Sequence, residues 1–284
     1  MKSTQQITKA MKMVSAAKLK RAQDRIIQMR PYSQKLTEIL QNVSSESDEQ
    51  LENKYAEQRE VRKVLIVPVA SDKGLCGSFN STVFRRVKNL LADEYKVQHA
   101  KGNVTFLPIG KRSYDFVRRA EYPMVADYYE LFKDLSFDDV RVAAEYAMDA
   151  FASGEFDKVI LIYNEFKNVA TQILNTEQFL PIEEKSGEGQ QDGAPFKMDY
   201  IFEPDQEFII NEIIPKSLKI QFYKALLESN ASEHGARMTA MDKATDNAGE
   251  LLRDLNLIYN RTRQAAITTE ILEIVAGAEA LASN

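Results

Sequence analysis

The segment Val69-Ala70-Ser71-Asp72-Lys73-Gly74-Leu75-Cys76-Gly77-Ser78 holds the residue types best placed to do chemistry. It follows a β-branched run and opens a helical pattern, and it carries two glycines and a lysine, a placement that can cradle phosphate on backbone N–H groups. The spacing is neither G-x-x-x-x-G-K-[ST] nor G-x-G-x-x-G, and the lysine precedes both glycines. A tight strand-to-helix turn, with glycines supplying backbone angles closed to other residues, accounts for the same pattern. No nucleotide site is therefore expected here. Cys76 would need a base to act as a nucleophile, and the two histidines, His99 and His234, are far along the chain; a plain structural thiol is the expected role. With no Cys/His cluster, no zinc site is expected. Asp138-Asp139 and Glu183-Glu184 are adjacent in sequence and do not converge on a helix face, so they read as solvated charge. The residues thus point to no catalytic, cofactor-binding or metal site.

Bulk properties narrow the classes further. The chain has 284 residues, 44% hydrophobic and 28% charged, with a net charge of -5. These are ordinary values for a folded protein, and the total charge gives no reason to expect nucleic-acid binding. The single cysteine allows no internal disulfide, which fits a reducing compartment. No apolar run approaches the ~18–20 residues that span a bilayer. The first thirty residues depart from the average: Lys2, Lys9, Lys12, Lys18, Lys20, Arg21, Arg25 and Arg30 stand against the one acid Asp24. Such a start also fits an organelle transit peptide. The pattern runs unbroken into the next segment, and no cleavage-like region follows. The basic face reads as solvated, as a match for an acidic partner, or least readily as a nucleic-acid surface, since no aromatic is interleaved before Tyr32.

The elements that would position these residues fall into three segments: 1–58, 61–205 and 206–284. The first reads as one long helix, with apolar positions at Ile7, Met11, Val14, Ala22, Ile26, Met29, Leu36, Leu40 and Val43. Their steps of three, four, seven or eight follow the helical seam period, and Pro31 is the one interior breaker. The middle segment changes period. Apolar runs at 61–69, 104–109 and 156–163 alternate with helical patterns at 78–93, 111–120 and 136–153. Ser136 with Asp139 resembles a capping box with Asp in place of Glu. Strands alternating with helices imply a parallel sheet covered by helices. Residues 169–174 and Tyr200-Ile201-Phe202 read as further strands, and the Gly-, Glu- and Gln-rich stretch 183–195 as an exposed loop.

The third segment is helical again and has no proline after Pro215. As one helix, that stretch would span about 100 Å. Its seam runs Met241, Ala244, Ala248, Leu251, Leu255, Ile258, Thr262, Ala265, Thr269, Leu272 and Ala276. So long a helix needs a partner to be stable, and the N-terminal helix is available. The expected fold class is α/β: a long antiparallel coiled coil of the N- and C-terminal helices with an inserted Rossmann-like α/β domain. Ala10, Ala17 and Ala22 on one side, and Ala231, Ala236, Ala240 and Ala244 on the other, would let the axes approach. Residues past about 265 should then lack an intramolecular partner, leaving an apolar tip from Ile271 to Ala278 that needs a socket in another protein.

Two terminal stretches carry a family resemblance. Ser3-Thr4-Gln5-Gln6-Ile7-Thr8-Lys9-Ala10-Met11-Lys12-Met13-Val14-Ser15-Ala16-Ala17-Lys18-Leu19 resembles the N-terminal signature of ATP synthase gamma subunits. Asn260-Arg261-Thr262-Arg263-Gln264-Ala265-Ala266-Ile267-Thr268-Thr269-Glu270-Ile271 resembles their C-terminal signature. Residues 71–80 and 233–247 agree as well, so the resemblance covers nearly the whole chain in the family's order. Two departures stand out. The basic helical turn with which the family usually begins is absent, and so is the cysteine-pair insertion of the chloroplast version, along with the thiol switching it would bring.

The resemblance implies a central rotor shaft of an F-type ATP synthase, coupling proton-driven rotation of the c-ring to ATP synthesis or hydrolysis. It implies no catalysis by the chain itself and no cofactor. The helical pair would sit inside a ring of three alpha and three beta subunits, with the α/β domain outside, near the epsilon subunit and the c-ring. Met11, Lys12, Arg237, Arg263, Gln264 and Thr268 match positions that meet the ring in the family. Their contacts must break and reform as the shaft turns, which suits solvent-accessible hydrogen bonds worth about 1 kcal/mol each. The expected location is the cytoplasmic face of a bacterial inner membrane, with the mitochondrial matrix or plastid stroma as alternatives. An enzyme using the α/β domain and a coiled-coil tether remain the competing classes.

Overall fold

Every residue of Val64-Leu65-Ile66-Val67-Pro68 is buried, so this strand needs an apolar layer against each of its faces. The computed structural model, which describes residues 1–46, 54–182 and 206–282, supplies both layers. In chain order the elements are α1 (Lys2–Glu46), β1 (Val64–Pro68), α2 (Phe79–Ala92), α3 (Lys96–Ala100), β2 (Val104–Phe106), α4 (Lys111–Arg119), α5 (Phe137–Ala152), β3 (Lys158–Phe166), β4 (Gln172–Leu180) and α6 (Gln206–Ala282). The sheet order is β2-β1-β3-β4. β1 pairs in parallel with β2, Val64 opposite Val104, and with β3, Val64 opposite Lys158. β4 returns antiparallel to β3, Tyr163 opposite Asn175. The sheet is therefore mixed, and the expectation of a parallel sheet holds for three of its strands.

Alternate residues of β1 feed opposite cores. Val64 and Ile66 pack with Val83, Val87 and Leu90 of α2 and Val117 of α4. Leu65 and Val67 pack with Val140, Ala144 and Met148 of α5 and with Phe222, Leu226 and Ala231 of α6. Each of the Val, Leu, Ile, Phe and Met side chains among them contributes roughly 1.5–3 kcal/mol when fully buried. Two ring pairs fasten α6 to this body, Phe179 against Phe222 and Phe137 against Tyr223. The Ser136 hydroxyl accepts from Asp139 N at 3.2 Å and starts α5 where the sequence pattern placed it.

The helical pair runs antiparallel. Thr8 meets Thr245 through their hydroxyls at 2.8 Å, Lys12 pairs with Asp242, and Gly249 approaches Gln5. The seam on α1 matches the one that apolar spacing selects at Ala22 and Ile26 but not nearer the N-terminus. Thr8, Ser15, Leu19, Ala22 and Ile26 are buried, whereas Ile7 and Val14 are 59% and 57% exposed. At Thr8 and Ser15 the packed face is offset by one residue from Ile7 and Val14, and the Thr8 hydroxyl bonds across the seam. The more apolar Ile7 and Val14 are left facing outward. Ala10 and Ala17 are likewise exposed, while Ala22, Ala231 and Ala236 are buried.

Two boundaries also differ. The first helix does not continue to residue 58: residues 54–56 form a turn and 57–62 are irregular. On α6, exposure begins at Arg253 rather than near 265 and continues through Glu279. Leu255, Ile258, Ile271 and Leu272 all stand in solvent. The expected strand at 200–202 and the expected loop at 183–195 lie outside the described residues.

Candidate partner interface

The middle of α6 is enclosed on all sides, with residues 231–237 buried without a break. Within it Arg237, 8% exposed, pairs with Glu233 at 2.6 Å, one helical turn back. Its Nη2 donates to the carbonyl oxygens of Lys73 at 2.8 Å and Gly74 at 3.4 Å. Nη1 lies 3.4 Å from Nδ1 of His234. An arginine can only donate, so Nδ1 accepts and the imidazole proton is on Nε2. Burial pushes the Glu233 carboxyl up, against the pull of Arg237. Burial also holds His234 down at about 4, with Arg237 and Lys18 adding to the effect.

The turn that Arg237 grips is the segment with the chemistry-bearing residues. Ser71 N donates to Asn80 Oδ1 at 3.0 Å, and Lys111 N donates to the Asp72 carboxylate at 3.0 Å. Gly77 has φ +60°, as a tight turn requires, and Leu75 takes φ 63° beside it. Gly74 packs against the Arg112 guanidinium, with a Cβ there lying 3.2 Å from Nη2. Toward α6 the turn thus presents carbonyl acceptors, whereas an anion cradle needs converging donors. Cys76 is 1% exposed, and burial pushes its thiol up, away from the reactive thiolate.

A family model described as ATP synthase matches residues 1–281. The ATP synthase gamma chain of Cytophaga hutchinsonii is 56% identical over 279 residues, 98% of this chain and 94% of its own. The chain belongs to the ATP synthase gamma family. The gamma chain of Christiangramia forsetii is 52% identical over the same 98% and 94%. Among solved structures, the central stalk and c-ring of Tetrahymena thermophila mitochondrial ATP synthase matches with a TM-score of 0.58 at 26% identity, covering 84% of this chain and 99% of that one. The rotor of Euglena gracilis mitochondrial ATP synthase gives 0.60 at 19% identity, over 94% of each chain, and shares the fold. As a gamma-family subunit, the chain is part of the central stalk, the rotor of an F-type ATP synthase. Among the described residues no helix is long and apolar enough to cross a membrane.

The residues that the gamma-family resemblance singled out are not all alike in the structure. Arg263, Gln264 and Thr268 are exposed on the part of α6 that no other described residue covers, where the Thr268 hydroxyl donates to the Gln264 carbonyl at 2.9 Å. Met11 and Lys12 are half-exposed on α1, and Lys12 already holds Asp242. Arg237 does not fit the expectation of a solvent-accessible contact, because its guanidinium is turned inward onto Glu233 and the 71–77 turn. Sequence spacing also passed over the Glu233 and His234 side chains that complete this cluster. The i, i+4 step from Glu233 to Arg237 was the one signal available.

His234 gives a pH signature. Its folded pKa of about 4 lies below the ordinary 6.5. As pH falls from 6.5 toward 4, the unfolded chain takes up a proton that the folded chain refuses, so stability is lost across that window, by at most about 3 kcal/mol. Glu233, shifted the other way, offsets part of this. Urea midpoints of wild type and His234→Gln, compared at neutral pH and in mid-window, separate the two groups. A smaller acid loss in His234→Gln is expected; equal losses would rule out the buried neutral imidazole.

Proposed function

We propose that α1 and α6 form an antiparallel coiled-coil shaft beside a Rossmann-like α/β domain, and that this shaft turns inside a ring of three alpha and three beta subunits. The chain catalyses nothing itself and binds no nucleotide; its rotation changes the catalytic sites of its neighbours. The observation that carries the reading is the length of α6 from Arg253 to Glu279, which is exposed throughout among the described residues and carries large apolar side chains. A helix exposing Ile271 at 55%, Leu272 at 63% and Ile274 at 68% is not stable as a free arm in water. An enclosing apolar collar in a partner removes that cost. The outward stripe of Ile7 and Val14 on α1 lies on the same shaft and calls for the same cover.

Met11, Lys12, Arg263, Gln264 and Thr268 are the side chains that meet the ring. They are polar or flexible and accessible, so their contacts are of the size that can break and reform during a turn. The α/β domain stays outside the ring, with the epsilon subunit and the c-ring as its neighbours. The chain is then a peripheral subunit on the cytoplasmic face of a bacterial membrane. The c-ring present in the Tetrahymena central-stalk structure supports this arrangement.

Reconstitution tests the reading. Mixed with alpha and beta subunits, the chain should give a complex with one copy to three of each, and ATP hydrolysis should require all three polypeptides. Failure to assemble where another gamma subunit does would sink it. A competing enzyme reading predicts turnover by the chain alone, and a tether reading predicts neither turnover nor this stoichiometry.

A further inference from the structure

The geometry points to a two-jawed clamp on α6, through which torque passes between the α/β domain and the shaft. The first jaw is the β3–β4 hairpin tip. Thr239 Oγ1 lies 3.2 Å from the carbonyl oxygens of both Val169 and Gly235, so its one proton is shared between the hairpin tip and the helix's own turn. At Gly235 the helix comes so close that an added Cβ would lie 3.3 Å from Phe166 Cε2 and 3.6 Å from Val169 Cα. The tip itself is braced, with Asn168 Oδ1 accepting from Ala170 N at 3.0 Å and Thr171 N at 2.7 Å. The second jaw is the 71–77 turn. Arg237 donates to the carbonyls of Lys73 and Gly74, and a Cβ added at Gly77 would lie 3.9 Å from Ala240 Cβ.

At about 100° per residue, Gly235 and Thr239 share one side of α6, and Arg237 and Ala240 share the nearly opposite side. That disposition has a mechanical consequence. A single off-axis contact pushes a rod sideways, whereas contacts on opposite sides form a couple that resists rotation about the rod's own axis. α1 closes the remaining side through Asp242 and Thr245. Both jaws belong to the α/β domain, so a turn applied to that domain reaches α6 without slip. Gly235 is a positioning residue in this scheme. Its missing side chain lets the hairpin tip seat against the helix, and Thr239 latches it. Gly235 is buried and Thr239 half-buried.

The inference rests on the rotor reading, and the experiment separates the two. Holoenzyme is assembled with the unsubstituted chain, Gly235→Val, Gly235→Ala or Thr239→Val, and ATP-driven proton pumping is divided by ATP hydrolysis for each. If the unsubstituted enzyme neither assembles nor pumps, the rotor reading itself fails. With a clamp, Gly235→Val lifts the hairpin tip and the ratio falls several-fold, while Thr239→Val, which loses only the latch, lowers it less. A merely structural role would lower both activities together by reducing the amount of intact enzyme, leaving the ratio unchanged. An unchanged ratio in Gly235→Val overturns the proposal. Should Gly235→Val not assemble, Gly235→Ala and Thr239→Val decide by the same ratio: a fall supports the clamp, and no change in either overturns it.

Discussion

Leu251→Pro stops coupled rotation although it removes no contact side chain. Proline at this position deletes the helical bond from residue 251 to the Asn247 carbonyl and drives its ring into that turn, at a cost of about 3 kcal/mol or more. The kink that results exceeds roughly 20°. The structure makes the site more sensitive than mid-seam spacing implied, because Leu251 is at the end of the paired region. A Cβ added at Gly249 would lie 3.1 Å from Gln5 Nε2, near the start of α1, and Leu251 is 44% exposed. Beyond it, residues 253–282 extend for about 45 Å. A 20° bend moves their end by about 15 Å, more than the width of a helix. Pro215 is tolerated in the same helix because Ile214 and Leu218 beside it are buried and splint it. Gln264→Ala, by contrast, removes an exposed amide worth about 1 kcal/mol and weakens coupling only modestly. Single-molecule rotation, or ATP-driven proton pumping in reconstituted enzyme, reads both. Normal rotation in Leu251→Pro together with loss of hydrolysis in Gln264→Ala would mean that a discrete chemical role, not a stiff shaft, underlies function.

The α/β body was legible because its signals are local. β1 is an uninterrupted apolar run, as a strand covered on both faces must be. α5 announces itself by Ser136 and the Asp139 that follows. The length of α6 was legible from the absence of proline after Pro215. α3, five residues without a buried side chain, carries no pattern to read. The later part of β4 was passed over for a related reason: residues 175–178 are polar and half-buried at the sheet edge, so apolar runs do not mark them.

The seam and the cluster on α6 were harder to read. Periodicity picks the most apolar stripe; on α1 its Ala22 and Ile26 are packed, but its Ile7 and Val14 are not. Ile7 and Val14 outrank Thr8 and Ser15 on any hydrophobic scale, yet the hydroxyl of Thr8 finds Thr245 across the seam. The inward turn of Arg237 had no sequence signal, because its carbonyl partner on Lys73 lies 164 residues away. Family spacing placed Arg237 among surface contacts, and burial alone distinguishes it from Arg263 and Gln264.

That burial changes what removing Arg237 does. For a solvent-accessible contact, Arg237→Ala would cost about 1 kcal/mol. In the structure the substitution leaves Glu233, 7% exposed, without its counter-charge, and leaves the carbonyls of Lys73 and Gly74 without Arg237 as donor. Breaking a buried pair from one side costs about 3–5 kcal/mol, most of it for the stranded charge. The melting temperature of the isolated chain should fall by roughly 6–20 °C. Arg237→Lys recovers only part of this, since one ammonium cannot reach Glu233, His234 and two carbonyls together. Glu233→Ala combined with Arg237→Ala should be less damaging than Arg237→Ala alone, because the stranded carboxylate is gone. The double-mutant cycle, read by urea midpoints, measures that coupling. A loss below about 1 kcal/mol in Arg237→Ala, with no coupling to Glu233, would mean the guanidinium is free to face solvent. Arg237 would then return to the ring-facing set with Gln264, and the second jaw of the clamp would lose its anchor.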